Sequence, residues 1–125
     1  MLLLEDLKGM TEAEVKAHLV SSYEADSKLV DDLDIVIGYE SVGAWGCDSS
    51  SFFLLKDKAG KLFEVHGSHC SCYGFEGQFQ LEETSVEALK FRVKESRYGS
   101  VFYAGGYDSD SDGNCKAVND YIEKM

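Results

Sequence analysis

Apolar and polar positions along the chain follow several distinct rhythms. Met1 to Leu7 is apolar with two acids, which suits a short helix or an edge segment. Thr11-Glu12-Ala13-Glu14 has the form of a capping box, in which Thr11 accepts from the Glu14 amide and Glu14 reaches back. Val15, His18, Leu19 and Ser22 then recur at helical spacing, so an amphipathic helix is predicted from Thr11 to Tyr23. His18 falls on or near its apolar stripe, where it reads as a packed or half-exposed helix residue rather than a ligand. Glu24 to Asp34 is acidic with Leu29, Val30 and Leu33 as apolar anchors, a second short helix or a linker that closes as a loop at Asp31-Asp32-Leu33-Asp34.

The next rhythm is that of strands. Ile35-Val36-Ile37 is β-branched and bounded by Gly38, which predicts a buried strand. Glu40 to Ser51 contains Gly43, Gly46 and four serines and reads as a loop. Phe52-Phe53-Leu54-Leu55 is a continuous apolar run suited to a central strand. The segment from Lys56 to Lys61 is a turn, and Leu62-Phe63-Glu64-Val65-His66 is the returning strand of a hairpin. A glycine-rich corner, Gly67 to Gln78, follows. Thr84-Ser85-Val86-Glu87 is a second capping box, opening a helix through Ala88, Leu89, Phe91 and Val93. Val101 to Ala104 suits a further strand. Asn114 to Lys124 reads as a helix with Ala117, Val118, Tyr121 and Ile122 on one face. The expectation is a single α+β domain over residues 1–125, with an antiparallel sheet of three or more strands and flanking helices.

Composition narrows the function classes. At 44% apolar the chain is expected to pack a core, and no apolar run is long enough for a membrane-spanning helix. The Met1-Leu2-Leu3-Leu4 start lacks a basic n-region and turns acidic at Glu5-Asp6, a poor signal peptide, so a cytoplasmic protein with reduced thiols is expected. The formal net charge is −11. A field of that sign repels nucleic acid and membrane surfaces and attracts proteins with basic surfaces. Through Asp57 the chain holds twelve of its 23 acids and four of its twelve bases. Glu24, Asp26, Asp31, Asp32 and Asp34 are therefore the candidate partner-binding residues. Lys90, Arg92, Lys94 and Arg97 form a basic patch on the later helix, too few cations for nucleic acid to be an expected ligand.

Two further groupings carry chemistry. His66, His69, Cys70 and Cys72 are the donor types that zinc prefers, although their spacing is tight and the chain has no second paired knuckle. The same corner offers a nucleophilic reading. Cys70 or Cys72 is the thiol, His66 or His69 lowers its pKa, and Glu76 orients the imidazole. Asp108, Asp110 and Asp112, followed by Gly113, open like a calcium loop. Asn119 stands where the closing bidentate glutamate belongs, and Gly105-Gly106 argues against a preceding helix. A solvated acidic turn capping the last helix is the preferred reading there.

Residues 62 to 91 resemble a block found in small uncharacterised proteins of phages and other mobile elements. The resemblance is carried by Gly67-Ser68-His69-Cys70-Ser71-Cys72-Tyr73-Gly74, then Glu76-Gly77-Gln78, Glu82-Glu83-Thr84 and Glu87-Ala88-Leu89. It implies a phage-type context and no particular mechanism; with the net charge, the expectation is an accessory protein that binds a host or phage protein with a basic surface. Small acidic phage proteins of this class resemble inhibitors of nucleic-acid-handling or defence factors, anti-CRISPR proteins among them. An enzyme or small-ligand domain centred on residues 66–78, and a structural zinc domain, are the alternatives.

Overall fold

The computed structural model describes residues 1–41, 49–69, 77, 79–89, 117–118 and 120–124. Five strands form one sheet in sequence order: β1 (Leu2–Glu5), β2 (Asp34–Ser41), β3 (Ser49–Lys56), β4 (Leu62–His69) and β5 (Glu82–Thr84). Two helices, α1 (Glu12–Ser22) and α2 (Ser27–Asp31), connect β1 to β2. Those helices carry the chain back across the sheet, so β1 lies parallel to β2 while every later pair is antiparallel. The α+β architecture is thus present, on a sheet that is mixed rather than wholly antiparallel. Met1 to Leu7 supplies its edge strand.

The local signals act as their chemistry demands. Thr11 caps α1 and forms the full box, accepting from the Glu14 amide at 3.2 Å while the Glu14 carboxylate accepts from the Thr11 amide at 3.0 Å. Asp26 caps α2 through the Lys28 amide at 2.9 Å. Asp57 ties the hairpin turn between β3 and β4, accepting from the amides of Ala59 and Lys61 at 2.9 and 2.8 Å. The second capping box begins one residue later than its sequence suggests. Ser85 accepts from the Ala88 amide at 3.2 Å, because Thr84 is already committed to the ladder opposite Leu62.

Two strands are longer than their apolar runs. β2 continues through Glu40 and Ser41, and β3 begins at Ser49, so both ends of the expected 40–51 loop belong to the sheet. Likewise Gly67, Ser68 and His69 continue β4 instead of turning. Their pairings are mutual: Ser49 to Ser51 lie opposite His69 to Gly67, and Ser51 is also opposite Glu40. Ladder pairing on both sides of β3 overrides the weak strand preference of glycine and serine.

Both faces of the sheet are covered, which is why Phe52 to Leu55 has no polar position. Phe53, Leu55 and Val65 pack with Val15, Leu19, Tyr23 and Val30 under α1 and α2. Phe52, Leu54, Ile37 and Tyr39 pack on the other face with Leu89, Val118 and Ile122. Residues 86–89, 117–118 and 120–123 are helical, and Val118 and Ile122 are buried as the expected C-terminal helix face requires. A β-carbon on Gly38 would stand 2.9 Å from Leu3 Cδ2 and 3.1 Å from Leu7 Cδ1, so glycine lets this end of β1 lie close.

Phe53 is fully buried and meets the Tyr23 ring edge to face at 5.6 Å. Phe53→Ala is expected to lower the unfolding free energy by about 3–5 kcal/mol in a denaturant melt. Leu29→Ala, at an apolar but exposed position, is expected to change it by less than about 0.5 kcal/mol. Equal effects at the two sites would contradict this assignment of the core.

Candidate functional site

The sheet buries two glutamates among its hydrocarbons, one on each face. Glu40 on β2 is 5% exposed and Glu64 on β4 is 3% exposed. A carboxylate removed from water needs a counter-charge or several hydrogen-bond donors to offset its lost solvation. Each of the two takes an imidazole.

Glu40 faces α1. Both its carboxylate oxygens lie 2.9 Å from His18 Nε2, and the Tyr23 hydroxyl donates to Oε1 at 2.6 Å. Helical spacing brings the donors together: His18, Ser22 and Tyr23 occupy the last turn of α1 and its C-cap. The Ser22 hydroxyl sits 3.3 Å from His18 Nδ1, so both ring nitrogens are engaged. The Tyr23 ring meets the imidazole edge to face at 5.8 Å. The His18 pKa is raised above its ordinary value of 6.5, first by the Glu40 hydrogen bond and also by the Glu40 charge, against the opposing pull of burial. Burial pushes the Tyr23 phenol far up, and the adjacent Glu40 charge and hydrogen bond add to the shift. The Ser51 hydroxyl, close to the phenol but outside ordinary hydrogen-bond geometry, works the other way.

This cluster is not apparent from the sequence pattern. His18 is the half-buried helix residue that its position on the stripe implies, but its partner comes from a stretch that reads as loop. The strand length of β2 is the missing information, since it turns Glu40 inward beside α1.

Glu64 lies on the opposite face, two residues before His66 and therefore on the same side of β4. Its Oε1 is 3.0 Å from His66 Nε2. The imidazole is 39% exposed and stacks at a tilt on Phe52 with ring centroids 5.1 Å apart, while the glutamate side chain is 4% exposed. A buried carboxylate fixing a solvent-facing imidazole is the arrangement that orients a general base. The Glu-x-His spacing on a strand was the available signal for it. Glu82 on β5 lies directly across from Glu64.

His66 is mid-strand rather than at a strand end, and the backbone of His69 completes β4. Cys70, Cys72 and Glu76 lie outside the described residues, as do Asp108, Asp110 and Asp112. Among the described residues, the carboxylate that meets His66 is Glu64, and no group of three or more His, Cys, Asp or Glu side chains is arranged to hold a metal ion. The zinc and calcium readings therefore rest on residues that the structure does not describe.

Glu24, Asp26, Asp31, Asp32 and Asp34 are all exposed, on one segment running from the C-cap of α1 through α2 into β2. Asp32 pairs with Lys58 at 3.0 Å, and Asp26 serves as the α2 cap. Val20 on α1 and Leu29 on α2 are 36% and 42% exposed. A shallow groove of about 400 Å³ borders this surface, lined by Ala13, Lys16, Ala17, Val20, Glu12 and Asp31.

No helix among the described residues is long and apolar enough to cross a membrane. In comparisons with known proteins, no family model, no curated protein and no solved structure matches this chain.

The protonation of His18 has a measurable consequence. Its folded-state pKa lies above the 6.5 of the free side chain, so the native state holds the proton more tightly than the unfolded chain. The resulting stabilisation is complete below 6.5 and is lost as pH rises through the raised folded-state value. Denaturant melts across this range should show stability declining from neutral toward alkaline pH, and His18→Gln should flatten that part of the profile. An unchanged slope in the variant would contradict the assignment.

Proposed function

We propose that this chain is a small acidic binding module that docks onto a protein with a basic surface through the α1–α2 face. The observation that carries the reading is one exposed segment. Between Glu24 and Asp34 five carboxylates face solvent, and of these five only Asp32 forms an ion pair with a described residue. The exposed Val20 and Leu29 give the same region apolar contact area. Charge complementarity steers encounter with a cationic partner, while apolar side chains contribute to the duration of contact. The net charge of −11 acts in the same direction over longer range.

Together with the likeness of residues 62 to 91 to phage and mobile-element proteins, this makes an accessory role in the host cytoplasm the preferred context. The partner is then a host or phage protein whose basic surface handles nucleic acid, and occupation of that surface inhibits it. In its sharpest form the role is anti-defence, of the anti-CRISPR kind.

The Glu64–His66 pair favours a second reading. An imidazole held by a buried carboxylate and open to solvent can activate a neighbouring thiol. Cys70 and Cys72, which follow closely in sequence, are the candidate nucleophiles.

The first reading is tested by a nuclear magnetic resonance titration with an arginine-rich amphipathic peptide. Shifts are expected at residues 24–34 and around Val20, fading as salt rises, because surface charges are screened over about 8 Å at physiological ionic strength. Glu24→Gln, Asp31→Asn and Asp34→Asn combined should weaken binding at least tenfold, a change that leaves the capping Asp26 and the paired Asp32 in place. Binding that ignores both salt and these substitutions would overturn the reading. For the second reading, iodoacetamide labelling near neutral pH should be fast at one cysteine and slow several-fold in Glu64→Gln. Labelling that occurs only on unfolding would exclude it.

A further inference from the structure

Tyr23 is a junction as well as a donor to Glu40. Its phenol reaches the buried carboxylate, its ring packs on Phe53, and its backbone carbonyl accepts from the Gly77 amide at 3.2 Å. The following residues keep the same company. Phe79 and Leu81 pack against the cluster that contains Tyr23, and the Ala25 amide returns to the Leu19 carbonyl at 3.3 Å. Glu24 turns the chain here with φ at 56°, in the left-handed region. The end of α1 and the segment leading to β5 thus meet at one residue, and that residue is held by Glu40.

We infer that His18, Glu40 and Tyr23 form a proton-operated clasp that sets how firmly the end of α1 holds the Gly77 amide. In the charged state both imidazole nitrogens carry protons. Nε2–H donates to Glu40 and Nδ1–H donates to the Ser22 hydroxyl. When the ring loses a proton to solvent, it leaves Nδ1, and Nε2–H stays on the carboxylate. The Ser22 hydroxyl then reverses and donates to the Nδ1 lone pair. Every hydrogen bond survives, but the buried carboxylate no longer has a cation beside it. The clasp weakens without breaking, and Tyr23, where both chain segments are joined, is held less firmly.

Among the described residues no second cation pairs with Glu40. Glu5 stands opposite Glu40 in the parallel ladder, and the Asp6 amide donates to the Glu40 carbonyl at 2.9 Å. Ser51 and Phe53 face the group from β3, with Gly67 beyond Ser51 on β4, and Phe79 and Leu81 bring no charge. On α2, Lys28 and Asp31 are exposed. Among the described residues His18 makes the one ion pair with Glu40.

This inference does not depend on the proposed docking face, and its test does not involve a partner. Amide exchange of the full chain would be followed from about pH 6 to about pH 9, corrected for intrinsic base catalysis, with the His18 ring titration recorded in parallel. The Gly77 and Ala25 amides are expected to lose protection several-fold, with a midpoint that tracks the His18 titration, while the Phe53 amide in the central strand keeps its own. His18→Gln should remove the step. Should that variant fail to fold, Ser22→Ala serves instead. Both protonation states lose a bond in this variant, but the charge-assisted one from Nδ1–H is the stronger, so the step should move to lower pH. A step at Gly77 that persists in His18→Gln, a midpoint unmoved in Ser22→Ala, or an equal loss at Phe53 would overturn the inference.

Discussion

Burying the Glu40 carboxylate is the constraint on which the rest of this structure turns. A sheet covered on both faces leaves its central strands no wet side, and β3 accordingly presents only apolar residues from Phe52 to Leu55. Yet the neighbouring β2 places a glutamate on the inner face. An isolated carboxylate there would cost several kcal/mol in lost solvation. The last turn of α1 answers with an imidazole and a phenol, so the requirement of one side chain fixes the rotation and the end point of a helix. The positioning of α2, and of the acidic segment that begins at Glu24, follows from that end point.

The second buried glutamate is handled differently, and the difference separates structural from chemical potential. His18 is half-buried, with both ring nitrogens engaged and one carboxylate shared with Tyr23. His66 projects toward solvent from a carboxylate that does not. The first arrangement holds elements together and responds to protons. The second presents a nitrogen to whatever approaches from outside. The proposed docking face and the oriented imidazole can coexist in one small module, because α1 and α2 lie on the opposite side of the sheet from Glu64 and His66.

Much of the fold was legible in the sequence because its signals are local. The Thr11–Glu14 box, the apolar run at Phe52 and the spacing of Val118 and Ile122 each work within a few residues. Where pairing decides the outcome, the sequence was silent. Serines 49 to 51 are strand because β2 and β4 flank them, and β1 is parallel because two helices intervene before its partner. The site was less legible still. His18 and Glu40 are 22 residues apart, and only the extension of β2 past Gly38 brings them together. Glu64 and His66 are close enough to read as a pair, but the density of histidine, cysteine and glycine just downstream makes Glu76 the more prominent partner in the sequence.

The end of α1 is held by coupling between one cation and one buried anion, and a double-mutant cycle measures that coupling directly. Unfolding free energies of the parent, His18→Gln, Glu40→Gln and the double variant would be compared at a pH where the imidazole is charged. The interaction predicted here makes the double variant less destabilised than the sum of the singles by about 1 kcal/mol or more. Additivity within about 0.5 kcal/mol would show that Glu40 is buried without the help of His18, and would contradict the account.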